Sequence, residues 1–545
     1  MLRSVVAAAL LVLLVTPATA DVWQMKQRDM HNTGRGDFSP TKDSTIFDTV
    51  VWQTAATGSS DGAVRFLNTS MAFYDGAGPE GADVIIGAIG GYGWEGLEAM
   101  DRHTGTNLWS AALPNEWTRK SSPAFSNDGA YVYIADTVNV HGMETAVGPP
   151  AGRWDNTLDA NLHLSRTYPT IGPDGRIFLH QNADRPYAGT DLPGSMIMES
   201  WAAATPSACS SDPALYQDGG TLKVIAAGWT SFVQCWDGDS AAGTELWVTA
   251  TSAPTRATPT IDPATGNIYV PAAEDTGDTY IVGLTKDGNP LPGWGGATSK
   301  VVHVKGAGET QVPATAGCLS HDAATYYFQG INAGGTGKLF AVNTADGTLK
   351  WSYNTGSTSG GQSGVQGSSP IVTPNGVIIV GNNQGNIYYA IADDGTQGTL
   401  LDTLPVPDGH AATSAILADD GLLYLSFRAD VGGTMGQLYT AFQLSEGGVP
   451  LPGDVDGNGV VDGLDLTAVL SAWETVPGDP LWDPDADLDG NDVINGLDLT
   501  EVISNWTMAA AAPAASASAT QAVKPDKRGA GRGNVHKGRG NVRGK

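Results

Sequence analysis

Cysteine is scarce in this chain, with three in 545 residues: Cys209, Cys235 and Cys318. So few thiols at these spacings exclude a disulfide scaffold and a cysteine-built zinc site. Cys209 and Cys235 fall within one repeat and are the candidate disulfide pair, with three unpaired core thiols as the rival reading. Histidine is also sparse. Nine are scattered without metal-ligand spacing, so His103, His163, His180 and His321 read as loop or blade residues. Charged residues make up only 16%, and basic ones are outnumbered 29 to 57, for a formal net charge of −28. Eight Lys/Arg against one Asp lie in Lys524–Lys545, so the remainder is more acidic still. Such a surface repels nucleic acid and anionic membranes and suits calcium. Long apolar runs are missing beyond Val5–Val15, which is too short for a span of about 20 residues. With Arg3 before it and Ala18-Thr19-Ala20 after it, that run reads as a signal peptide over residues 1–20. The expected product is a secreted, periplasmic or extracellular protein starting near Asp21, with no membrane span.

Glycine is abundant, at 71 residues, and it recurs with tryptophan. Gly337–Trp351 reads GKLFAVNTADGTLKW: a strand, a turn containing Gly, and a returning strand that ends in Trp. Leu97–Trp109 and Cys235–Trp247 repeat it, and in all three the Gly lies four residues before the Trp. One hairpin cannot bury that Trp, so the unit requires neighbours. A second signal opens strands with Ser, Thr or Pro, at Thr69-Ser70, Ser122-Pro123, Tyr168-Pro169, Asp212-Pro213, Thr258-Pro259, Val312-Pro313, Ser369-Pro370 and Thr413-Ser414. Their spacing fits four-stranded blades. Thr49-Val50-Val51-Trp52 reads as an outer blade strand placed before the first anchor, so it is expected to complete the last blade.

These repeats closely resemble those of pyrroloquinoline-quinone-type (PQQ-like) β-propellers. The resemblance implies an all-β ring over residues 21–447, of eight blades, with seven as the alternative count. Quinoprotein dehydrogenases of this fold carry an adjacent Cys–Cys pair over the quinone. This chain has no adjacent pair, so PQQ is not an expected cofactor, and a platform for a protein or glycan ligand is the leading expectation. A quinoprotein dehydrogenase of alcohols or sugars is the alternative.

Residues 448–452 read as a linker, and a different module follows over 453–508. Asp454–Asp465 reads DVDGNGVVDGLD and Asp487–Asp498 reads DLDGNDVINGLD. Oxygen-bearing side chains fall at loop positions 1, 3, 5, 9 and 12, with a carbonyl at 7, the donor set a hard cation takes. The expected Ca²⁺ ligands are Asp454, Asp456, Asn458, Val460 (carbonyl), Asp462 and Asp465, then Asp487, Asp489, Asn491, Val493 (carbonyl), Asn495 and Asp498. Position 6 is Gly459 in the first loop and Asp492 in the second, so the second site is expected to be weaker. Leu466, Val469, Leu470 and Trp473 have helical spacing, as do Leu499, Val502, Ile503 and Trp506, and the two stripes are expected to pack together. The duplicated loop–helix units resemble type I dockerin domains, calcium-dependent modules that bind cohesins in extracellular, often polysaccharide-degrading, assemblies. The resemblance places partner contacts at loop positions 10 and 11, here Gly463, Leu464, Gly496 and Leu497, where the family commonly has Ser or Thr. A cohesin-like partner is the expectation, and a calcium-stapled cap without a partner is the rival.

Residues 509–545 are Ala/Pro/Ser-rich and then basic, with no means of building a core. Gly91–Gly96 fits a dinucleotide fingerprint and Gly58–Gly62 a nucleophile elbow. No helix follows either, so both read as glycine-rich loops. No catalytic residue is indicated.

Overall fold

The structure is a computed structural model. It describes residues 21–56, 70–89, 96–113, 121–135, 139–148, 153–157, 168–180, 186–192, 195–201, 211–228, 231–255, 257–273, 278–304, 306, 310–311, 316–330, 332–333, 336–357, 368–382, 386–406, 411, 413–431, 434–446, 453, 455, 461, 463–479, 481–483, 486–489 and 491–506. The expected signal peptide, linker and basic tail lie outside these.

Eight antiparallel sheets follow one another along the chain and form an eight-bladed β-propeller. The innermost strands begin the blades at Ala72–Tyr74, Ala124–Phe125, Thr170–Ile171, Ala214–Asp218, Thr260–Ile261, Cys318–Leu319, Ile371–Val372 and Ile416–Leu417. Five of the eight sequence anchors sit directly before these strands, and the first and last sit one residue further back. The sixth does neither. Its strand starts at Cys318, after Ala316-Gly317, and Val312-Pro313 lie outside the described residues. Tyr326 explains the substitution. A Cβ on Gly317 would come within 2.3 Å of its ring, so the step that takes Pro in five other blades here takes Gly.

The middle strands are buried on both faces, as in Val377–Asn382, where all six residues are buried. This gives short continuous apolar runs rather than alternation. The cores therefore lie between blades. One apolar cluster joins Ile86 and Trp109 of the first blade to Phe125 and Val132 of the second, and another joins Ile225 and Cys235 of the fourth to Ile261 and Val282 of the fifth. Cys235 is a free, fully buried thiol on Phe232–Asp237, held within that second cluster. Cys209, the partner expected for it, lies outside the described residues. Cys318 is likewise free and buried.

The turn glycine does not serve the Trp of its own hairpin. It receives the Trp of the preceding blade. Trp52 lies on Gly105, Trp109 on Gly148, Trp201 on Gly243, Trp247 on Gly288 and Trp294 on Gly347. All five glycines have φ between 62° and 77°, and a Cβ on any of them would strike the indole at 2.0–3.0 Å. Four of these indoles also donate a hydrogen bond to the same turn: Trp52 Nε1 to Arg102 O at 2.8 Å, Trp109 to Thr145 O at 2.8 Å, Trp247 to Lys286 O at 3.1 Å and Trp294 to Thr344 O at 3.0 Å. Trp351 bonds Asp393 Oδ1 at 2.8 Å and lies on Gly398. Each contact stitches one blade to the next.

Ring closure follows the expectation from Trp52. Val50–Ala55 pairs with Thr434–Gln443 as the outer strand of the eighth blade. Residues 21–41, which show no strand or helix pattern, make a second closure. Val22–Trp23 adds a fifth strand to the first blade beside Ala72–Tyr74. The strap then passes the inner strands in order. Gln24 O accepts from Phe125 N, Met30 O from Leu215 N, His31 O from Ile261 N, Thr33 O from Leu319 N and Gly34 O from Val372 N. Thr41 N reaches Ser445 O of the eighth blade. Lys26 is drawn inward to Asp212, at 3.4 Å, with its ammonium 3.9 Å from the centre of the Tyr168 ring.

The C-terminal module holds α1 (Gly463–Ser471) and α2 (Gly496–Ser504). Val469, Ala472 and Val502 are buried between the two units with Val455, Val461, Ala486 and Ile494, and Leu466 and Leu499 flank them. The second half of each expected stripe faces outward instead: Leu470 and Trp473 on one unit, Ile503 and Trp506 on the other, are exposed. Nine-residue helices have one side to offer each other, and Ala472 with the loop residues Ile494 and Val461 fills the rest of the core.

Candidate metal centre

The second acidic loop, Asp487–Asp498, is described at every expected ligand position. The carboxylate oxygens of Asp487, Asp489 and Asp498 all lie within 4.8 Å of one another. Backbone amides fold the loop around them. Asn491 N donates to Asp487 Oδ1 at 3.1 Å, Asp492 N to Asp487 Oδ2 at 2.9 Å and Val493 N to Asn491 Oδ1 at 2.9 Å. Asp492, at position 6, takes the left-handed φ of 63°, the conformation that a glycine there would adopt without strain.

Asp498 ties this loop to the helix. Its Oδ1 accepts from Leu488 N at 2.8 Å and its Oδ2 from Asn495 N at 2.8 Å, while Asn495 Oδ1 accepts from Leu497 N at 2.9 Å. Asn495 and Asp498 thus form the N-terminal capping box of α2. A short aspartate at position 12 can cap the helix from its third residue and still keep an oxygen turned to the centre.

The first loop is built alike where it is described. Asp465, fully buried, accepts from Val455 N at 2.7 Å, matching the Asp498–Leu488 bond 33 residues later. Asp454, Asp456, Asn458, Val460 and Asp462 lie outside the described residues. Gly463 and Gly496 open the two helices, and Leu497 is exposed. The second loop offers only oxygens from three carboxylates, two amides and a carbonyl, so its chemistry fits Ca²⁺ and not a soft metal.

A further charged cluster, which no motif announced, lies at the seam of the ring. Arg102 is almost fully buried and holds Asp75 at 2.5 Å and Asp420 at 2.7 Å. His103 meets Asp83 at 2.9 Å, and Arg28 pairs with Asp37. The only sequence cue for Arg102 was its place in the LEAMDRHTG turn, which the repeat pattern had already absorbed.

A ring of eight blades stitched Trp-on-Gly, followed by two acidic loop–helix units, defines a PQQ-like β-propeller joined to a dockerin-type module. Two family models agree. Residues 452–507 match the type I dockerin domain, and residues 199–447 match the family described as outer membrane protein assembly factor BamB. The chain is accordingly a PQQ-like propeller protein with a C-terminal type I dockerin domain. Among solved structures it is similar to the quinohemoprotein alcohol dehydrogenase of Comamonas testosteroni, with TM-score 0.53 and 12% identity over 77% of this chain and 80% of that one. It is also similar to a europium-containing methanol dehydrogenase, with TM-score 0.54 and 10% identity over 78% and 98%. At these identities the likeness concerns the fold. No curated protein matches the chain in sequence. No helix among the described residues is long and apolar enough to cross a membrane.

Proposed function

We propose that this is an exported, non-catalytic binding protein. Its propeller is a platform for a protein or glycan, and its calcium-loaded dockerin module docks it to a cohesin-like partner in an extracellular assembly. The observation that carries this reading is the convergence of Asp487, Asp489 and Asp498 at the start of α2, within a module that matches the dockerin family. Calcium would be held by those residues with Asn491, Val493 and Asn495, and in the first loop by Asp454, Asp456, Asn458, Val460, Asp462 and Asp465. Bound there, it supplies the central positive charge that lets the carboxylates approach without repulsion. Asp487, Asp489 and Asp498 orient the loop, and the docking positions Gly463, Leu464, Gly496 and Leu497 are carried on the helix starts it fixes. The full-length chain should capture cohesin domains in calcium and release them in chelator. Capture that is absent, or indifferent to calcium, defeats the docking reading. A glycan array with the same chain tests the platform and any accessory role in polysaccharide breakdown.

The dehydrogenase neighbours favour one rival, a quinoprotein. It requires quinone absorbance and dye-linked oxidation of alcohols or sugars after PQQ and calcium are added. The cysteines at 209, 235 and 318 supply no adjacent pair to lie over a quinone.

A further inference from the structure

Asp21, the first described residue, lies inside the charged cluster at the seam between the first and eighth blades. Its carbonyl accepts from Asp75 N at 3.1 Å, and its Oδ2 accepts from Asp419 N at 2.7 Å. Val22 faces Tyr74 in the antiparallel register, so Asp21 faces Asp75 as a hydrogen-bonded pair. In such a pair both amide nitrogens point across to the opposite residue. The nitrogen of Asp21 is therefore turned toward the backbone carbonyl of Asp75, beside the carboxylate that Arg102 holds.

The charge around it is unbalanced. Asp21, Asp37, Asp75, Asp83, Asp419 and Asp420 surround the guanidiniums of Arg28 and Arg102 and the imidazole of His103. Arg102 joins two parts of the N-terminal segment to the first blade at this seam. Its guanidinium lies 3.9 Å from Asp21 Oδ2, it holds Asp75 opposite the first strap strand, and its carbonyl receives the indole of the closing Trp52. One more cation at the Asp21 nitrogen would offset the excess where both closures of the ring meet.

We propose that export processing supplies that cation: cleavage before Asp21 leaves an α-ammonium seated against Asp75 and its neighbouring carboxylates, and this contact locks the strap and the seam of the ring. The inference rests on the reading of residues 1–20 as a cleaved signal peptide. The step is a hydrolysis by a signal peptidase. Water adds across the Ala20–Asp21 peptide bond, leaving a carboxylate on Ala20 and an ammonium on Asp21. Before cleavage the same nitrogen is a neutral amide and brings no charge.

The test starts with N-terminal sequencing of the full-length exported protein. That chain is then compared with versions carrying Ala20 as an extra first residue or an acetyl group on Asp21. An ammonium paired with carboxylates stays protonated at higher pH, so acylation of the Asp21 amine near neutral pH should be about tenfold slower than that of the Ala20-extended chain. Acetylation should lower the thermal midpoint of the wild-type chain and lower it less in Asp75→Asn. A protein that starts at Asp21 but is acylated as fast as the extended chain, with an unchanged midpoint, overturns the lock and leaves export standing. A first residue other than Asp21 overturns the lock and leaves export standing, and an uncleaved chain overturns both.

Discussion

Asp492 and His31 show how single side chains carry measurable consequences. Asp492 holds a φ of 63° at the sharp turn of the second calcium loop. A non-glycine residue in that region costs about 1–2 kcal/mol, less for aspartate because its short side chain bonds locally. Asp492→Gly should tighten the weaker calcium step of the full-length chain severalfold in a calorimetric titration. His31 lies in the strap with its ring edge against Tyr216. Burial lowers its pKa below the ordinary 6.5, although Asp29 and Asp262 pull it upward and Arg35 pushes it further down. The neutral ring is the form that fits. Its contribution is fully present above pH 6.5 and is lost as pH falls through the lower folded value. Asp21 acts in the opposite sense. Burial pushes its carboxyl up to about 6, so its contribution grows as pH falls through that value. His31→Gln should flatten the acid side of the thermal midpoint against pH, relative to wild type. Identical curves would show that the strap does not register His31.

At the scale of the elements, stability resides in the joints between blades. Trp52→Ala removes a buried indole and its bond to Arg102, and should cost about 3–5 kcal/mol in denaturant unfolding. Gly243→Ala places a methyl 2.0 Å from Trp201 at a φ of 62°, so it should destabilise by roughly 2–3 kcal/mol despite adding one carbon. Much of this was legible beforehand. The Gly and Trp are four residues apart in each copy, and the Ser/Thr/Pro steps mark the inner strands. The direction of the joint was not legible, because spacing within a repeat says nothing about which neighbour fills the hole. The sixth anchor was misplaced for a similar reason: Tyr326 demands a glycine where five other blades carry Pro. In the C-terminal module, periodicity named the helices but not the width of the buried stripe. Loop residues Val461 and Ile494 complete that core and leave Trp473 and Trp506 outside.

For the whole molecule, the N-terminal segment has the widest reach. It adds a strand to the first blade, crosses the inner strands and becomes the outer strand of the eighth blade. The Trp52 closure could be read from the sequence. The strap could not, because residues 21–41 bond as an irregular chain through backbone carbonyls and leave no period. The acidic loops were legible as a pattern, since oxygen donors must recur at fixed intervals to meet at one point, and in the second loop Asp487, Asp489 and Asp498 do converge. The central claim is that calcium builds the docking module, and a calcium titration of the full-length chain tests it most directly. Two binding steps are predicted, the weaker in the range of about 10⁻⁴–10⁻³ M typical of extracellular modules. Asp498→Asn should remove or weaken the weaker step at least tenfold and leave the other unchanged. A chain that takes up no calcium in the millimolar range, or an Asp498→Asn chain that binds like wild type, would contradict the account.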